Sequence, residues 1–521
     1  MLPNITSRAA RQKSQGAQFL GLDHNLVVRT GALWDMKNLT GEFYPVLSPR
    51  RGRRLVRTIQ KPNGLFVKEK LCWVDGTTFY YDGQEKGTVA DSPKRFARLG
   101  AYVLLWPDKV CYNTATDEFQ PLEVTWTGSA TIGKYTYDAQ GEAAQGVYQG
   151  NAIRTTEPPF PFEAGEAVFL SGSSTESNNR SAVIREVLEG GKLLVFSNHT
   201  FTEAGAQTLT LQRKVPDLKY FCEVDNRLWG CTGNEIFASA LGSPFRWNNY
   251  EGLATDSYAV SVGSDGPFTG AASYLGYPVF FKEDAIHKMY GTQPSNFQSM
   301  ESAELGVLDG SAGSVANAGE TLFYLSRTGV VSYTGGIPTP ISGAFGAWQF
   351  DRAVGGSDGR RYYVSMWQGD TWTLFVYDTQ TGLWHKEDDT HALAFARVGG
   401  KLYLLDGKDN GLYEVNAGGF EDISWMAETG DFADNGPDKT GLTRLQMRLE
   451  ADSGSEVLVE IQFDSDGVWR PVRRIGRGEK RSVVLPILPR RCDHYRLRLS
   501  GRGGCRVYSI TRESYPGSEV R

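Results

Sequence analysis

The sequence predicts an all-β protein in which a β-propeller of about six to seven blades carries an inserted small β-barrel-like domain and a C-terminal β-sandwich. Three observations support this fold class. Short apolar runs alternate with polar, glycine-containing turns, copies of this unit recur every 39 to 51 residues, and no long amphipathic helical pattern interrupts them. A self-similar all-β period of roughly 40 to 50 residues is typical of four-stranded propeller blades.

The repeated unit is a β-hairpin. Leu228 and Ile236 lie in two apolar runs, eight residues apart, around a turn that contains Gly233, and Leu322 and Val330 repeat this spacing. Turn residues that easily adopt positive φ, between aromatic and β-branched runs, are a strong hairpin signal. A series of stacked β-sandwiches, which would lack the longer period, is the main alternative. Successive copies are anchored at Leu228, Val279, Leu322, Tyr363 and Leu402, and earlier copies lie at Leu71 and Tyr102.

Residues 1–60 are predicted to form an extended N-terminal arm. They are polar and basic and end in Pro49-Arg50-Arg51-Gly52-Arg53-Arg54, so they bury little surface by themselves and would lie on another molecule. On this hypothesis, deleting Met1 to Arg54 leaves a folded monomer that no longer assembles. A disordered tail is the alternative. The apolar residues that argue against it are Leu33, Trp34, Met36, Leu39, Phe43, Tyr44, Val46 and Leu47.

The rest of the chain divides where the hairpin rhythm changes. Residues 61–124 are predicted to carry the first blades, residues 125–215 the inserted β domain with about five short strands, and residues 216–416 the remaining blades. Insertions between repeats emerge on one face, where partners can reach them.

Residues 425–521, after a glycine- and acid-rich joint, are predicted to form a C-terminal β-sandwich. Val457, Val459 and Ile461 alternate with more polar side chains, and Leu497 lies between Arg496 and Arg498. Period-two patterning with one polar face predicts a two-layer antiparallel sandwich.

Composition limits the class of protein and its compartment. The chain has 521 residues with 40% hydrophobic content, a net charge of −5, and no run of 18 apolar residues, so we expect several domains with their own cores and no membrane-spanning segment. The first 25 residues lack the apolar core of a secretory signal, so synthesis in a cytoplasm is expected. The six cysteines include no C-x-x-C, and we expect buried, reduced thiols; pairing of Cys222 with Cys231, or of Cys492 with Cys505, stays open.

Motifs of catalysis, cofactor binding and metal binding are not found. The six histidines form no H-E-x-x-H, and the sequence contains no G-x-S-x-G, P-loop or dinucleotide fingerprint. Acidic turns such as Asp464-Ser465-Asp466-Gly467 lack the spaced carboxylates of a calcium loop and are interpreted as hairpin turns. We therefore predict a protein that is not an enzyme, with no catalytic, cofactor-binding or metal-binding residues.

The C-terminal region is strongly basic. Between Gly467 and Arg506 there are twelve Lys and Arg residues against Glu479 and Asp493. Basic strands could follow nucleic-acid phosphates, could dock on an acidic protein surface, or could form a solvated face. No aromatic RNA-binding motif lies beside them, and a protein interface is favoured. The proposed interface residues are Trp34, Phe43, Tyr44, Arg50, Arg51, Arg53, Arg54, Arg490, Arg491, Arg496 and Arg498.

Five stretches carry a resemblance to a known family: Asn38-Leu39-Thr40-Gly41-Glu42-Phe43-Tyr44-Pro45-Val46-Leu47-Ser48-Pro49-Arg50, Gly242-Ser243-Pro244-Phe245-Arg246-Trp247-Asn248, Thr255-Asp256-Ser257-Tyr258, Arg491 to Leu499, and Tyr508-Ser509-Ile510. They resemble bacteriophage virion proteins, most closely the tail nozzle, or tail tubular protein B-like hub, of short-tailed phages. The resemblance carries no catalytic residue across.

This resemblance implies a structural virion protein located in the tail and assembled in the host cytoplasm. It implies a homo-oligomeric ring, commonly a hexamer, that extends the channel of the portal and head–tail adaptor, is surrounded by tail fibres or spikes, retains the genome, and passes DNA during ejection. Two alternatives stay open. One is a glycan-binding propeller module that uses Trp367, Trp372 and Trp384, and the other is a propeller glycosidase with two paired carboxylates.

Overall fold

The computed structural model describes residues 12–137, 148–197, 201–420, 423–433, 439–488 and 490–516. Within these residues the regular structure is β-strand apart from single 3₁₀ turns, which confirms the predicted all-β class. No helix in this part of the chain is long and apolar enough to cross a membrane. The 3₁₀ turns are Glu176–Asn178, Glu189–Gly191, Pro294–Asn296, Ala312–Ser314 and Ser342–Phe345.

The chain forms two compact units. One unit, which we call the split unit, combines Met1–Gln60 with Gly313–Arg521, and the other, the central unit, is Lys61–Ala312. The N-terminal strands of the split unit are β1 (Gln12–Gly16), β2 (Leu33–Lys37), β3 (Leu39–Thr40), β4 (Ser48–Pro49) and β5 (Arg54–Thr58).

The central unit begins with two antiparallel four-stranded sheets whose strands pair in chain order. Their side chains meet in one cluster that includes Cys72, Val74, Phe79, Val103 and Leu105. The strands are β6 (Pro62–Lys68), β7 (Lys70–Asp75), β8 (Thr78–Tyr81) and β9 (Gln84–Thr88), then β10 (Arg95–Leu99), β11 (Tyr102–Trp106), β12 (Val110–Asn113) and β13 (Glu118–Pro121).

A closed six-stranded barrel follows, and it confirms the predicted inserted β-barrel-like domain. Its interior is packed with apolar residues such as Trp126, Ile153 and Leu194. At one end, the buried Arg213 guanidinium contacts Glu166 at 2.6 Å and donates to the Leu122 carbonyl. The strands are β14 (Val124–Tyr137), β15 (Tyr148–Thr155), β16 (Ala167–Ser171), β17 (Ser181–Leu188), β18 (Leu193–Phe196) and β19 (Ala204–Arg213).

Two more four-stranded sheets complete the central unit, again with sequential strand order. The first strands of the two sheets lie against each other, and Trp229, Phe268 and Phe280 pack between them. The strands are β20 (Tyr220–Val224), β21 (Arg227–Thr232), β22 (Glu235–Ala238) and β23 (Tyr258–Ser261), then β24 (Gly270–Tyr274), β25 (Tyr277–Phe281), β26 (Ile286–Tyr290) and β27 (Gln298–Ser302).

Three four-stranded sheets belong to the split unit. In the third, β5 from the N-terminal segment pairs with β38 as the fourth strand. The strands are β28 (Ala316–Ala318), β29 (Thr321–Ser326), β30 (Gly329–Tyr333) and β31 (Thr339–Pro340); β32 (Arg352–Ser357), β33 (Arg361–Gln368), β34 (Thr371–Asp378) and β35 (Leu383–Lys386); and β36 (Ala392–Val398), β37 (Lys401–Asp406) and β38 (Gly411–Glu414).

Two five-stranded sheets contain the C-terminal strands. These strands are β39 (Ser424–Thr429), β40 (Thr440–Ala451), β41 (Glu456–Phe463), β42 (Arg470–Ile475), β43 (Gly478–Leu485), β44 (Arg490–Cys492), β45 (Tyr495–Arg502) and β46 (Cys505–Pro516). One sheet has the order β2-β39-β45-β41-β42; the other has β1-β46-β40-β43, with β44 also on β40. Val457, Val459, Ile461 and Leu497 are buried, as the alternating pattern predicted.

The hairpin period of the sequence is the period of the four-stranded sheets. Leu71, Tyr102, Leu228, Val279, Leu322, Tyr363 and Leu402 each lie in the second strand of a different sheet. Local turn chemistry explains the regularity: Asp225 and Asn226, for example, both have positive φ in the two-residue turn between β20 and β21. The sequence therefore located each of these sheets through its central hairpin.

The N-terminal segment, residues 12–60, is not an arm that extends away from its own chain. β1 pairs with β46, β2 with β39 and β5 with β38, so three of the chain's own sheets include it. Leu33, Met36 and Leu39 are almost completely buried. Of the apolar residues that argued against a disordered tail, Leu33, Met36, Leu39 and Leu47 are thus covered by the same subunit, whereas Tyr44 is 41% exposed.

The six cysteines are buried and carry free thiols. Burial raises the pKa of the Cys72 thiol to about 12 and has the same effect on Cys111. These residues therefore act as small core side chains, as the sequence predicted.

Candidate assembly interface

Two of the proposed interface arginines lie in an internal ion cluster, which we call the arginine clamp: Arg50, Arg53, Glu387 and Asp388. Arg50 Nε lies 3.1 Å from Glu387 Oε2, and its Nη2 lies 2.8 Å from Asp388 Oδ2. Arg53 Nη2 contacts Glu387 Oε2 at 2.7 Å and Asp388 Oδ1 at 3.1 Å, while its Nη1 donates to Thr390 Oγ1. The two acids directly follow β35, so the clamp ties the N-terminal segment to that strand.

The clamp is buried. The side chains of Arg50 and Arg53 are only 7% and 11% exposed. Burial opposes the charge of Arg53, but Asp388 and Glu387 outweigh it and raise the pKa of the guanidinium. Burial alone would raise the pKa of Asp388, yet Arg53 and Arg50 lower it. Arg50 and Arg53 therefore stabilise their own subunit, and the prediction that they contact a partner is wrong.

The other proposed residues of the N-terminal segment divide into paired and exposed side chains. Arg54 forms an ion pair with Glu414 on the neighbouring β38. Arg51 is exposed, with its guanidinium 3.9 Å from Glu42. Tyr44 is 41% exposed. Arg54, Arg51 and Tyr44 are thus all exposed enough for a partner to reach, although Arg54 already has a carboxylate partner in its own chain.

Trp34 and Phe43 are covered by arginines of the same chain. The Arg496 guanidinium lies 5.5 Å from the Trp34 ring centroid, and the Arg506 guanidinium lies 4.5 Å from that of Phe43. His24 also packs on Trp34, with ring centroids 4.5 Å apart. Cation–π contacts of this kind bind arginine side chains to aromatic faces. The predicted role of these two rings was to anchor a partner. In the structure, one face of each ring is instead in contact with an arginine of its own chain.

Arg496 and Arg498 are held by the buried Glu428. Arg496 Nη1 lies 3.1 Å from Glu428 Oε1, and Arg498 Nη2 lies 2.8 Å from Oε2. The Arg498 guanidinium also lies 4.0 Å from the Trp469 ring centroid. These two arginines lie on the inner strand β45 and are half-buried, so their main contacts are within their own chain, and their contact with a partner stays a prediction.

The remaining basic residues form an exposed surface along the edges of two sheets. We call it the basic edge, and it consists of Arg473, Arg474, Arg477, Lys480, Arg481, Arg490 and Arg491, all exposed. β42 is the last strand of its sheet, while β43 and β44 follow one another along the same side of β40. Arg473 Nη1 donates to the Val484 carbonyl at 2.7 Å, which places the two edges beside each other.

Most cations of the basic edge have no carboxylate partner in the described parts of the chain. Arg474 contacts Glu456 at 2.7 Å, and it is the one member with such a contact. Lys480 and Arg490 instead lie over the Tyr508 and Phe463 rings. The exposed apolar side chains Val484 and Leu488 lie within the same stretch. The proposed interface residues Arg490 and Arg491 thus belong to a larger surface in which like charges repel each other.

A buried polar cluster that the sequence did not reveal surrounds a cavity of about 10 Å³ in the split unit. Its wall includes Arg361, Tyr363, Asp378, His385 and Glu387. Burial lowers the pKa of His385 to about 4, so this imidazole is neutral at neutral pH. The volume corresponds to about one water molecule, which is far smaller than a sugar ring. The cluster has no room for a substrate and is best explained as internal packing of polar groups.

The three tryptophans considered for glycan binding differ in position. Trp384 is buried and donates its indole N–H to the Ile341 carbonyl at 2.7 Å. Trp367 and Trp372 are half-buried neighbours with ring centroids 5.5 Å apart, and the His391 ring stacks on Trp372 at 4.4 Å. Only Trp367 and Trp372 of this set could therefore face a ligand.

The acidic turn after β41 contributes to a group of Asp464, Asp493 and His494 with metal-ligand spacing. Both ring nitrogens of His494 are engaged: Nδ1 lies 2.7 Å from Asp493 Oδ1, and Nε2 lies 2.7 Å from Ser465 Oγ. Asp464 Oδ1 accepts the Asp493 backbone N–H. These hydrogen bonds explain why the three side chains lie close together, because they connect the turn after β41 to the residues before β45.

No protein-family model and no curated protein match the sequence. Among solved structures, the chain is similar to an exported protein from Bacteroides fragilis, with 9% identity, a TM-score of 0.25, and coverage of 55% of this chain and 94% of that one. It is also similar to phage phi92 endosialidase (10% identity, TM-score 0.18, 78% and 61% coverage) and to a glycoside hydrolase (9%, 0.16, 92% and 96%). Similarities at this level assign neither an activity nor a partner.

Proposed function

We propose that this chain is a structural, non-catalytic subunit of a bacteriophage tail that assembles into a homo-oligomeric ring. In this proposal the ring is a nozzle or hub that extends the channel of the portal and head–tail adaptor. It contacts fibres or spikes, retains the genome, and passes DNA without reading its sequence. The virion and tail assignment rests on the resemblance of the stretches around Asn38–Arg50 and Arg491–Leu499 to tail nozzle proteins.

The four-stranded sheets support a propeller within this proposal. Each has its strands in chain order, and neighbouring sheets in both units contact each other through their first strands, as with β20 and β24 or β32 and β36. β5 completes the sheet that begins with β36, which is how propellers join their two chain ends. In the same proposal the two five-stranded sheets are the layers of the C-terminal sandwich.

The observation that carries the assembly role is the basic edge. Six exposed cations have no carboxylate partner among the described residues and lie beside the exposed Val484 and Leu488, so only solvent and its ions balance their charge in an isolated subunit. Closed rings use head-to-tail contacts between two different patches of neighbouring subunits, and the basic edge supplies one such patch. A ring buries this charge against a complementary surface.

The test is the assembly state of the purified chain. Mass photometry and negative-stain electron microscopy, at low ionic strength and over a range of concentrations, should show rings of uniform size. Mass spectrometry of purified virions should detect the chain with portal and adaptor proteins. A chain that stays monomeric throughout and is absent from virions would contradict the proposal.

A second candidate function is glycan binding at Trp372. The stacking of His391 on Trp372, with Trp367 beside it, forms an aromatic surface of the type that packs against sugar rings. Retention of the monomer on immobilised polysaccharide, lost in Trp372→Ala and kept in Trp384→Phe, would support this function. Equal retention of the two variants would exclude glycan binding at Trp372.

A further inference from the structure

We infer that the basic edge of one copy binds an acidic edge on the central unit of a neighbouring copy. The acidic edge consists of Glu283, Asp284, Glu301, Glu304 and Asp309. This inference rests on the proposed ring and specifies which two surfaces make its repeated contact.

The charge of the chain is divided between the two units. Residues 61–312 contain 20 Lys and Arg against 30 Asp and Glu, whereas the remaining residues contain 35 against 30. The central unit is therefore strongly acidic, although the whole chain has a net charge of only −5. Opposite charges on different parts of one chain favour a contact between copies in which unlike surfaces meet.

The acidic edge is local and well ordered by backbone contacts. β27 is the outer strand of its sheet, and Glu301 on β27 pairs in register with His287. The following loop folds back, because the Gly306 N–H donates to the Glu283 carbonyl and the Asp309 N–H donates to Glu283 Oε1. The carboxylates of the loop and of β27 thus lie at the same end of the sheet.

Few cations lie near these acids in the sequence. From Lys282 to Arg327 there are three cations, Lys282, Lys288 and Arg327, against six acids. The buried Lys282 ammonium donates to the Ser264 carbonyl at 2.6 Å and to Asn234 Oδ1 at 3.2 Å. The Lys288 ammonium lies over the Tyr277 and Tyr290 rings, at 4.2 and 5.0 Å. The acidic edge therefore has a negative field that the basic edge of another copy would complement.

Both edges also contain exposed apolar side chains. Met300 on β27 is 61% exposed, and Val484 and Leu488 on the basic edge are 44% and 88% exposed. Protein interfaces combine an apolar centre with a charged rim, whereas contacts to nucleic-acid phosphates need no apolar centre. This composition favours a second copy of the chain over DNA as the occupant of the basic edge.

The experiment uses two charge-reversed full-length variants. Arg477→Glu with Arg491→Glu alters two exposed cations whose side chains make no hydrogen bond or ion pair with the described residues, and Glu301→Lys with Glu304→Lys alters the opposite surface. Each variant alone should raise the protein concentration needed for assembly by about 100-fold or more, because like charges then face each other. An equimolar mixture should assemble again, since each altered surface meets its altered counterpart.

Controls separate the inference from the proposed function. Arg185→Glu with Arg352→Glu changes two exposed strand arginines elsewhere and should assemble like the wild type. If Arg477→Glu/Arg491→Glu forms rings as readily as the wild type, the inference is wrong but the proposed ring is not. The same holds if the wild type forms rings and the mixture of the two variants does not. A wild-type chain without rings overturns both. Loss of duplex DNA binding with unchanged rings would assign the basic edge to nucleic acid instead.

Discussion

Replacing Arg53 by Met should release the N-terminal segment from the split unit. Arg53 shares two carboxylates with Arg50 and also donates to Thr390. The substitution keeps an unbranched apolar stem and removes the guanidinium with its charge. Glu387 and Asp388, which are 5% and 17% exposed, then keep Arg50 as their one guanidinium partner.

The structure sets the size of this effect. Removing one partner of a buried ion pair costs about 3 to 5 kcal/mol, because a buried charge is left without compensation. Arg50 still contacts both acids, so we expect the lower limit, about 3 kcal/mol. The cost should shrink on acidification. Without Arg53 the folded-state pKa of Asp388 rises from its lowered value towards the ordinary one, so the stability difference between variant and wild type narrows as the pH falls through and below about 4.

Native-state hydrogen exchange measured by mass spectrometry can resolve this effect within a large protein. A loss of about 3 kcal/mol corresponds to roughly 100-fold faster exchange of the β5 and β38 amides. Barrel peptides of the central unit serve as an internal reference. Arg51→Met, which removes a mostly exposed neighbour, should change exchange by less than about fivefold. Exchange of Arg53→Met within threefold of wild type would refute the clamp.

Three further predictions follow from other buried groups and from the pairing of the N-terminal strands. Because burial lowers the pKa of His385 from 6.5 to about 4, the unfolded chain binds this proton more readily. Acidification from pH 7 to 5 should therefore cost the split unit about 2 kcal/mol, a dependence that His385→Gln should remove in exchange measurements. Deletion of Met1–Arg54, which removes β1 to β4, should make the split unit sensitive to protease while the barrel stays resistant. A split unit that stays as resistant as in the wild type would instead support an arm that can be removed without unfolding. The six buried thiols should resist a maleimide in the native protein and react fully in urea, and fast native labelling would contradict their burial.

Local sequence patterns predicted the hairpins well, because turn residues and alternating apolar runs act over a few positions. The runs at Leu228 and Ile236 became β21 and β22, and the register followed from a short turn. The long strands β14 and β15 of the barrel were less visible. Their Thr, Gly and Ala residues provide little apolar contrast, although their pairing closes the barrel.

Contacts distant in sequence explain what was missed in the candidate site. In the sequence, nothing distinguishes Arg50 and Arg53 from arginines on the surface. Their burial depends on Glu387 and Asp388, which lie more than 330 residues away in the chain. Arg496 and Arg498 did carry a local signal, since each alternates with buried residues of an inner strand. Arg490 and Arg491 lack that alternation. Strand position, inner or edge, was the information that a single sequence could not supply.

The strand pairings impose an order on biosynthesis. β1 pairs with β46 and β5 pairs with β38, so these two N-terminal strands find their partners only after the whole central unit and the sheets that follow it have been synthesised. The central unit is continuous in sequence and can fold while the rest is still being made. Until then, Leu33 and Met36 remain exposed on the nascent chain, and a product truncated before β38 keeps them exposed. Synthesis of β38 and β46 is therefore a precondition for an intact split unit, and chains that stop earlier cannot form one.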